Sequence, residues 1–351
     1  MFVPIVGRKI KIAVAGCGRI SKLHIEAISK LDESFELVAL CDIDKKVLEK
    51  VSKNPKINYY EDFTKMLDKE DLDVVALCTP SGLHSLQTQI AASYKVNVIT
   101  EKPMATRWSD GLKMVSDCDL NNVRLFVVKQ NRHNPTLKLL KRAMMEKRFG
   151  RVSMVNVNVF WTRPQEYYDG GNGWRGTWEY DGGALMNQAS HYVDLLDWLV
   201  GPVEKVHAFA STTREIETED TAVLNVKWRN GALGSMNVTM LTYPKNLEGS
   251  ITILGETGTV RIGGVALNDI TTWTFSQPKD YDQLISNVSY DTKSVYGNGH
   301  KLYYEKVKDA LRGLIEPETD GRAGLKSLEV LIAAYHSIRD NHSVGLPLEH
   351  R

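Results

Sequence analysis

The chain has 351 residues, 42% hydrophobic and 25% charged, enough for about two globular domains with a sizeable core. Lys and Arg number 44 against 43 Asp and Glu, a formal charge of +1. That balance gives no electrostatic case for nucleic acid or an anionic membrane as partner. No run approaches the ~18 apolar residues of a membrane span, and Met1 to Lys11 lacks the apolar stretch of a signal peptide, so a cytoplasmic protein is expected.

The first 130 residues alternate strand and helix. Lys11 to Ala15 reads as a short strand ending in Gly16-Cys17-Gly18, followed by a helix with Ile20, Leu23, Ala27, Ile28 and Leu31 at helical spacing. Phe35 to Leu40 is a second strand, closed by Asp42, and Asp44 caps a helix through Val51. A helix at Asp62 to Leu67, a strand at Asp73 to Cys78, a helix at Leu83 to Tyr94 and strands at Val96 to Ile99 and Val123 to Val128 continue the series. Such spacing predicts right-handed crossovers and a parallel Rossmann sheet. Cys17, Cys41, Cys78 and Cys118 share no CxxC spacing and read as small buried thiols. No metal is expected.

From about Pro135 the grammar changes. A helix, Thr136 to Glu146, leads into strands at Val152 to Phe160, Val203 to Ala210, Thr221 to Trp228, Ala232 to Met240, Ser250 to Leu254 and Thr259 to Ile262. Turn signals at Asn230-Gly231 and Gly255 to Gly258 separate several of them. One helix, about Asn187 to Val200, stops at Gly201-Pro202. Late helices at Leu302 to Leu314 and Ala323 to Arg339 are expected to cover one sheet face, and the other face to join subunits. The fold class is α/β: an N-terminal Rossmann parallel sheet over residues 1–132, then an α+β domain over 133–351 with a large open, mostly antiparallel sheet.

Gly16 and Gly18 lie between a strand and a helix, where a dinucleotide fingerprint belongs. Gly16 permits the tight turn, and Gly18 admits a pyrophosphate to the backbone N–H groups at the helix mouth, beside Arg19 and Ile20. Ser21 stands where the fingerprint has its third small residue. Asp42 is placed to take both ribose hydroxyls and to repel a 2′-phosphate, which favours NAD over NADP. Its bland alternative is a turn residue before a helix. Ligands collect at the carboxyl ends of parallel strands, so Thr79, Pro80 and Ser81, with Glu101-Lys102-Pro103, are expected around the nicotinamide. A Pro after Lys102 invites a cis bond that aims the lysine into the cleft. His84 either touches the cofactor or packs against the helix.

In the second half, Gly182-Gly183-Ala184-Leu185-Met186-Asn187-Gln188-Ala189 runs into Ser190 and His191 at a helix mouth. Together with Glu101-Lys102-Pro103, Gln130-Asn131-Arg132 and the segment ending Leu195-Leu196-Asp197-Trp198-Leu199, it resembles the glucose-fructose oxidoreductase and inositol dehydrogenase (Gfo/Idh/MocA) family over essentially the whole chain. The resemblance implies an NAD-dependent oxidoreductase in which Lys102 and His191 handle the proton of a sugar hydroxyl, with Gln130 near the cofactor. Many members carry Asp where Asn187 stands. An amide orients a hydroxyl but cannot take its proton at neutral pH, which leaves His191 or Lys102 as base. Asn187 and His191, one helical turn apart, are expected to face one pocket.

Asn156 to Pro164, Trp174 to Trp178 and Met186 to His191 resemble the branch that oxidises the C3 hydroxyl of UDP-N-acetylglucosaminuronic acid (UDP-GlcNAcA) for bacterial surface polysaccharide. Such a nucleotide sugar carries anions, for which Arg163, Arg175 and Lys102 are candidates. Tyr167 and Tyr168 suit sugar or uracil, with Gln188 beside Asn187. Trp174 and Arg175 alternatively line the nicotinamide. Gly299, His300 and Tyr303 are expected to cap the pocket. Some members of the branch return the hydride to 2-oxoglutarate, and the resemblance implies a homotetramer or homodimer. Other readings are another sugar or inositol dehydrogenase, an NAD-binding regulator, and a sheet-mediated scaffold.

Overall fold

The computed structural model describes residues 2–51, 54–170, 173–292, 295, 297 and 299–348. The chain divides into two compact units, Met1–Lys129 with His300–Leu328, and Gln130–Gly299 with Glu329–Arg351.

The first unit is built on β1 (Ile10–Ala15), β2 (Phe35–Cys41), β3 (Asn58–Tyr60), β4 (Val74–Leu77), β5 (Asn97–Thr100) and β6 (Leu125–Val127), with α1 (Ser21–Ser29), α2 (Lys45–Val51), α3 (Phe63–Lys69), α4 (His84–Ser93) and α5 (Trp108–Asn121). These strands form one parallel sheet in the order β3-β2-β1-β4-β5-β6. The order reverses between β1 and β4, so their carboxyl ends open a ligand crevice. Every residue of β4 and β5 is buried, and β4 accordingly reads as an unbroken apolar run rather than an alternating one. Asp62 caps α3, accepting from Lys65 N at 2.7 Å. The sequence pattern missed β3 and α5. β3 has three residues, none fully buried, and α5 buries only Gly111, Met114 and Cys118, too thin a stripe to stand out. All four cysteines are free and buried.

The second unit holds α6 (Pro135–Met145), β7 (Val152–Phe160), α7 (Gln165–Asp169), α8 (Ser190–Leu195), β8 (Val203–Ser211), β9 (Thr221–Trp228), β10 (Leu233–Thr239), β11 (Glu248–Gly255), β12 (Gly258–Gly263), β13 (Asp269–Phe275) and α9 (Ile285–Val288), with β14 (Val344–Gly345) near the chain's end. The strands form a sheet in the order β13-β12-β11-β7-β10-β9-β8-β14. β7 and β10 pair in parallel and the other described neighbours run antiparallel. Period-2 alternation buries Val155, Val157 and Val159, while Met154 lies on the opposite face. Phe209, Val223 and Leu233 are also exposed.

Two expectations need correction. The helix carrying His191 starts at Ser190, not Asn187, and ends in one π-type turn, Leu196–Val200. Asn187 sits in the preceding turn, its N–H donating to Gly183 O at 2.9 Å. The helix expected over Leu302 to Leu314, α10 (His300–Leu311), belongs to the first unit rather than the second sheet. Its Tyr303, Tyr304, Val307, Ala310 and Leu311 join the core of Ile12, Val14, Ile28 and Phe35. Burying that stripe against β1 and α1 removes it from water, which is the driving force for its placement. Helix α11 (Gly321–Asp340) starts in the first unit and passes into the second at Glu329.

Candidate active site

The dinucleotide turn is built around two glycines with different jobs. Gly16 has φ +84°, and a Cβ there would come within 2.6 Å of the Cys78 carbonyl group and Thr79 N. Only glycine fits this approach of β1 to β4. A Cβ on Gly18 would meet nothing within 4 Å, so the turn is open on the side a pyrophosphate must reach. Ser21 explains its departure from the fingerprint: it is fully buried and its hydroxyl donates to Gly18 O at 2.8 Å. Arg19 and Ile20 complete the bend into α1. At the end of β2, the Asp42 carboxylate accepts from Cys17 N (2.7 Å) and Asp44 N (2.9 Å). Each oxygen has a second lone pair, so the carboxylate keeps acceptor capacity for ribose hydroxyls. These residues fit a dinucleotide.

At the ends of β4 and β5 the loops are tied together by His84. Its ring is fully buried, with Nδ1 3.0 Å from Pro103 O and Nε2 2.9 Å from Thr79 O. Burial lowers its pKa, against the opposing pull of the two carbonyls. Of the two readings of His84, these contacts match the packing one: the ring lies between the Thr79-Pro80-Ser81 turn and the Lys102-Pro103 loop. The Lys102–Pro103 bond is cis and Lys102 is half-buried.

Glu101 is likewise turned inward. Its Oε1 accepts from His24 Nε2 at 2.9 Å and its Oε2 from Lys102 N at 3.0 Å. Burial opposes ionisation, but the hydrogen bond and field of His24, followed by Lys102, outweigh it and hold the carboxyl well below its ordinary range. His24, Glu101 and His300 bring ligand-type atoms within 4.8 Å of one another. Tyr303 and His300, expected to cap a pocket, are both buried in the first unit. The apolar side of α10 carries them inward.

In the second unit, the Gly182–His191 segment is held by acids that the sequence reading did not single out. Asp181 accepts from the Asn187 amide and, through Oδ2, from Gly176 N at 2.8 Å. Glu219 accepts from Leu185 N (2.9 Å) and Tyr335 Oη (3.0 Å) through Oε1, while its Oε2 is buried without a hydrogen-bond partner. A side chain at Gly183 would collide with this carboxyl, which accounts for the glycine. Burial pushes Glu219 up to about 7. His191 is buried, and Gln130 Nε2 donates to its Nε2 at 3.1 Å. Arg132 of the same Gln-Asn-Arg turn pairs with Asp194 on α8, so the helix that carries His191 is clamped to the turn that carries Gln130. Gln188 is buried beside Asn187.

Arg163, Tyr167, Trp174 and Arg175 gather in one patch of this unit. The Arg163 guanidinium lies 5.3 Å from the Trp161 ring centre and 5.4 Å from that of Tyr167. That of Arg175 lies 4.6 Å from Tyr167 and 5.2 Å from Trp174. Arg163 Nη1 donates to Thr162 O at 2.7 Å and Arg175 Nη1 to Tyr167 O at 2.8 Å. Tyr168, grouped with Tyr167 in the sequence, is buried edge-on against it, and burial raises its phenol pKa. Tyr167 alone of the two remains half-exposed.

No described helix is long and apolar enough to cross a membrane. Residues 10–129 match the model of the oxidoreductase family's NAD-binding Rossmann fold, and residues 141–346 that of its C-terminal alpha/beta domain. Among solved structures, the chain is similar to the WlbA dehydrogenase of Chromobacterium violaceum in complex with NADH and UDP-GlcNAcA. Identity is 58%, covering 100% of this chain and 99% of that one, with a TM-score of 0.95. The WlbA dehydrogenase of Bordetella pertussis, also in complex with NADH and UDP-GlcNAcA, is 57% identical over 99% of this chain and 100% of that one, with a TM-score of 0.96. More distant is the D-apiose dehydrogenase of Paraburkholderia graminis, 25% identical over 97% of this chain and 90% of its own length. The chain belongs to the Gfo/Idh/MocA oxidoreductase family, with its NAD-binding Rossmann fold and C-terminal α/β domain.

Proposed function

We propose that this protein oxidises the C3 hydroxyl of UDP-GlcNAcA to a ketone with NAD, in bacterial surface-polysaccharide synthesis. The observation that carries the proposal is the identity of 58% and 57%, over essentially the whole chain, to two dehydrogenases in complex with NADH and that nucleotide sugar. NAD supplies the hydride acceptor. Gly16, Gly18 and the mouth of α1 would hold its pyrophosphate and Asp42 its ribose. His191, helped by Lys102, would take the hydroxyl proton, and Lys102 and Asn187 would steady the oxygen as charge develops on it. Arg163 and Arg175 each commit Nη1 to a backbone carbonyl. The rest of each planar fork suits a diphosphate or carboxylate oxygen. Tyr167 offers a ring for sugar or uracil.

The proposal extends to a cytoplasmic homo-oligomer. The buried free thiols favour a reducing compartment. Met154, Phe209, Val223 and Leu233 give the exposed sheet face apolar surface that a second copy would cover. 2-Oxoglutarate is the candidate acceptor for returning the hydride. The decisive experiment is mass spectrometry of the protein mixed with NAD, 2-oxoglutarate and UDP-GlcNAcA, with UDP-GlcNAc and inositol as controls. A nucleotide sugar lighter by two hydrogens, from the uronic acid alone, is expected. Binding of NAD without that product overturns the substrate assignment and leaves the family membership standing. Lys102→Ala and His191→Ala are each expected to lower turnover by at least about a hundredfold.

A further inference from the structure

A buried hydrogen-bond chain runs through the first unit to Lys102. It begins at Tyr304 on α10, whose Oη lies 2.7 Å from His24 Nδ1. It continues from His24 Nε2 to Glu101 Oε1 at 2.9 Å, and ends with Lys102 N donating to Glu101 Oε2 at 3.0 Å. Tyr304 and His24 have no exposed surface and Glu101 almost none. The direction of the bond at Glu101 follows from chemistry. An ionised carboxylate only accepts, so His24 Nε2 carries the proton. At Nδ1 the ring meets the Tyr304 hydroxyl, which can either donate or accept. Both ring nitrogens of His24 are thereby used. This makes the His24, Glu101 and His300 cluster a hydrogen-bonded array rather than a preformed ligand shell. His300, edge-on to His24 at 5.5 Å, is pushed down to about 4 by burial and by His24, so it adds no charge at neutral pH.

The chain joins three parts of the unit that lie far apart in sequence. His24 lies on α1, the helix that opens at the dinucleotide turn. Lys102 sits past the end of β5, where the ladder no longer fixes the backbone. Tyr304 comes from a helix 280 residues away from His24 in sequence. We propose that His24 and Tyr304 are positioning residues for Lys102, holding the Glu101 carboxylate where it fixes the lysine's backbone relative to the dinucleotide turn. The proposal rests on the reading of Lys102 as a residue that handles the sugar hydroxyl.

The test is a double-mutant cycle read in kcat, KM, NADH affinity by fluorescence, and thermal unfolding. Lys102→Ala comes first; near-normal turnover in that variant removes the role assigned to Lys102, and with it this proposal's premise. Given the expected loss there, His24→Leu is expected to lower kcat by at least about tenfold with the KM of the nucleotide sugar changed less than about threefold. His24→Gln keeps a donor for Glu101 and is expected to recover most of the lost rate. In the Lys102→Ala background, His24→Leu is expected to cost little further, because the group it positions is gone. If His24→Leu does not fold, Tyr304→Phe, which removes one hydroxyl, serves in the same cycle. It is expected to lower kcat by about threefold or more, and only while Lys102 is present. Normal kcat in a folded His24→Leu or Tyr304→Phe, or losses that multiply in full with Lys102→Ala, overturns the proposal.

Discussion

Arg132 holds Asp194 through two parallel hydrogen bonds, Nε to Oδ2 at 2.8 Å and Nη2 to Oδ1 at 2.7 Å, with both side chains under a tenth exposed. The pair ties the turn bearing Gln130 to the helix bearing His191. Asp194→Ala strands a buried guanidinium and is expected to cost about 3–5 kcal/mol of stability, measured by denaturant unfolding. Arg132→Lys keeps the charge but not the planar fork, so an intermediate loss is expected. Unchanged unfolding midpoints in both variants would show that the pair does not brace the helix.

The two glycines of the dinucleotide turn are expected to separate stability from binding. Gly16→Ala places a methyl within 2.6 Å of backbone and adopts φ +84°, so the melting temperature falls. Gly18→Ala meets no neighbour within 4 Å and leaves melting unchanged, while the methyl obstructs the open side and weakens NADH binding by about tenfold or more. Equal effects of the two substitutions on melting would contradict this division.

Asn187→Asp is a sharper test of the Asp181 contact than removal of the side chain. It replaces the amide that donates to Asp181 with a second carboxyl, and two adjacent carboxylates cannot both ionise without penalty. One must hold a proton to restore the hydrogen bond. Turnover at neutral pH is expected to drop by about tenfold and to recover relative to wild type as pH falls. A pH–rate profile parallel to wild type would refute the contact's importance.

Glu219 gives a pH prediction with a definite sign. Burial raises its pKa from 4.5 to about 7, so the unfolded chain releases the proton at lower pH than the folded one. The associated stability is complete below about pH 4 and is lost as pH rises through 7. Glu219→Gln keeps the shape and cannot ionise. Relative to wild type, its melting temperature is expected to rise by a few degrees between pH 5 and pH 8. A constant difference across that range would mean that Glu219 does not carry a raised pKa.

Several features were legible because they are local. The strand–glycine–helix signal at Gly16 to Gly18, the alternation of Val155, Val157 and Val159, and the proline after Lys102 each act within a few residues. His84 and Glu101 were placed in the right loops, but their inward direction was not legible. Whether a side chain at a strand end faces ligand or core depends on what packs behind it. The start of α8 was misjudged as well: Asn187 has helical spacing to His191, yet Asp181 takes its side chain, and Ala189 N–H reaches Ala184 O, five residues back, so the regular ladder begins only with α8.

The sequence by itself determined the parallel-then-antiparallel architecture, the dinucleotide turn and the two segments that carry Lys102 and His191. Hydrophobic period, turn chemistry and motif order are written along the chain. Only the tertiary structure decided that α10 returns to the first unit, that Tyr304 reaches His24, and that Glu219 fills the space left at Gly183. These are long-range contacts whose partners leave no periodic mark in the sequence. A buried polar group must find its partner wherever the fold brings one, and for His24 and Tyr304 that partner lies 280 residues away.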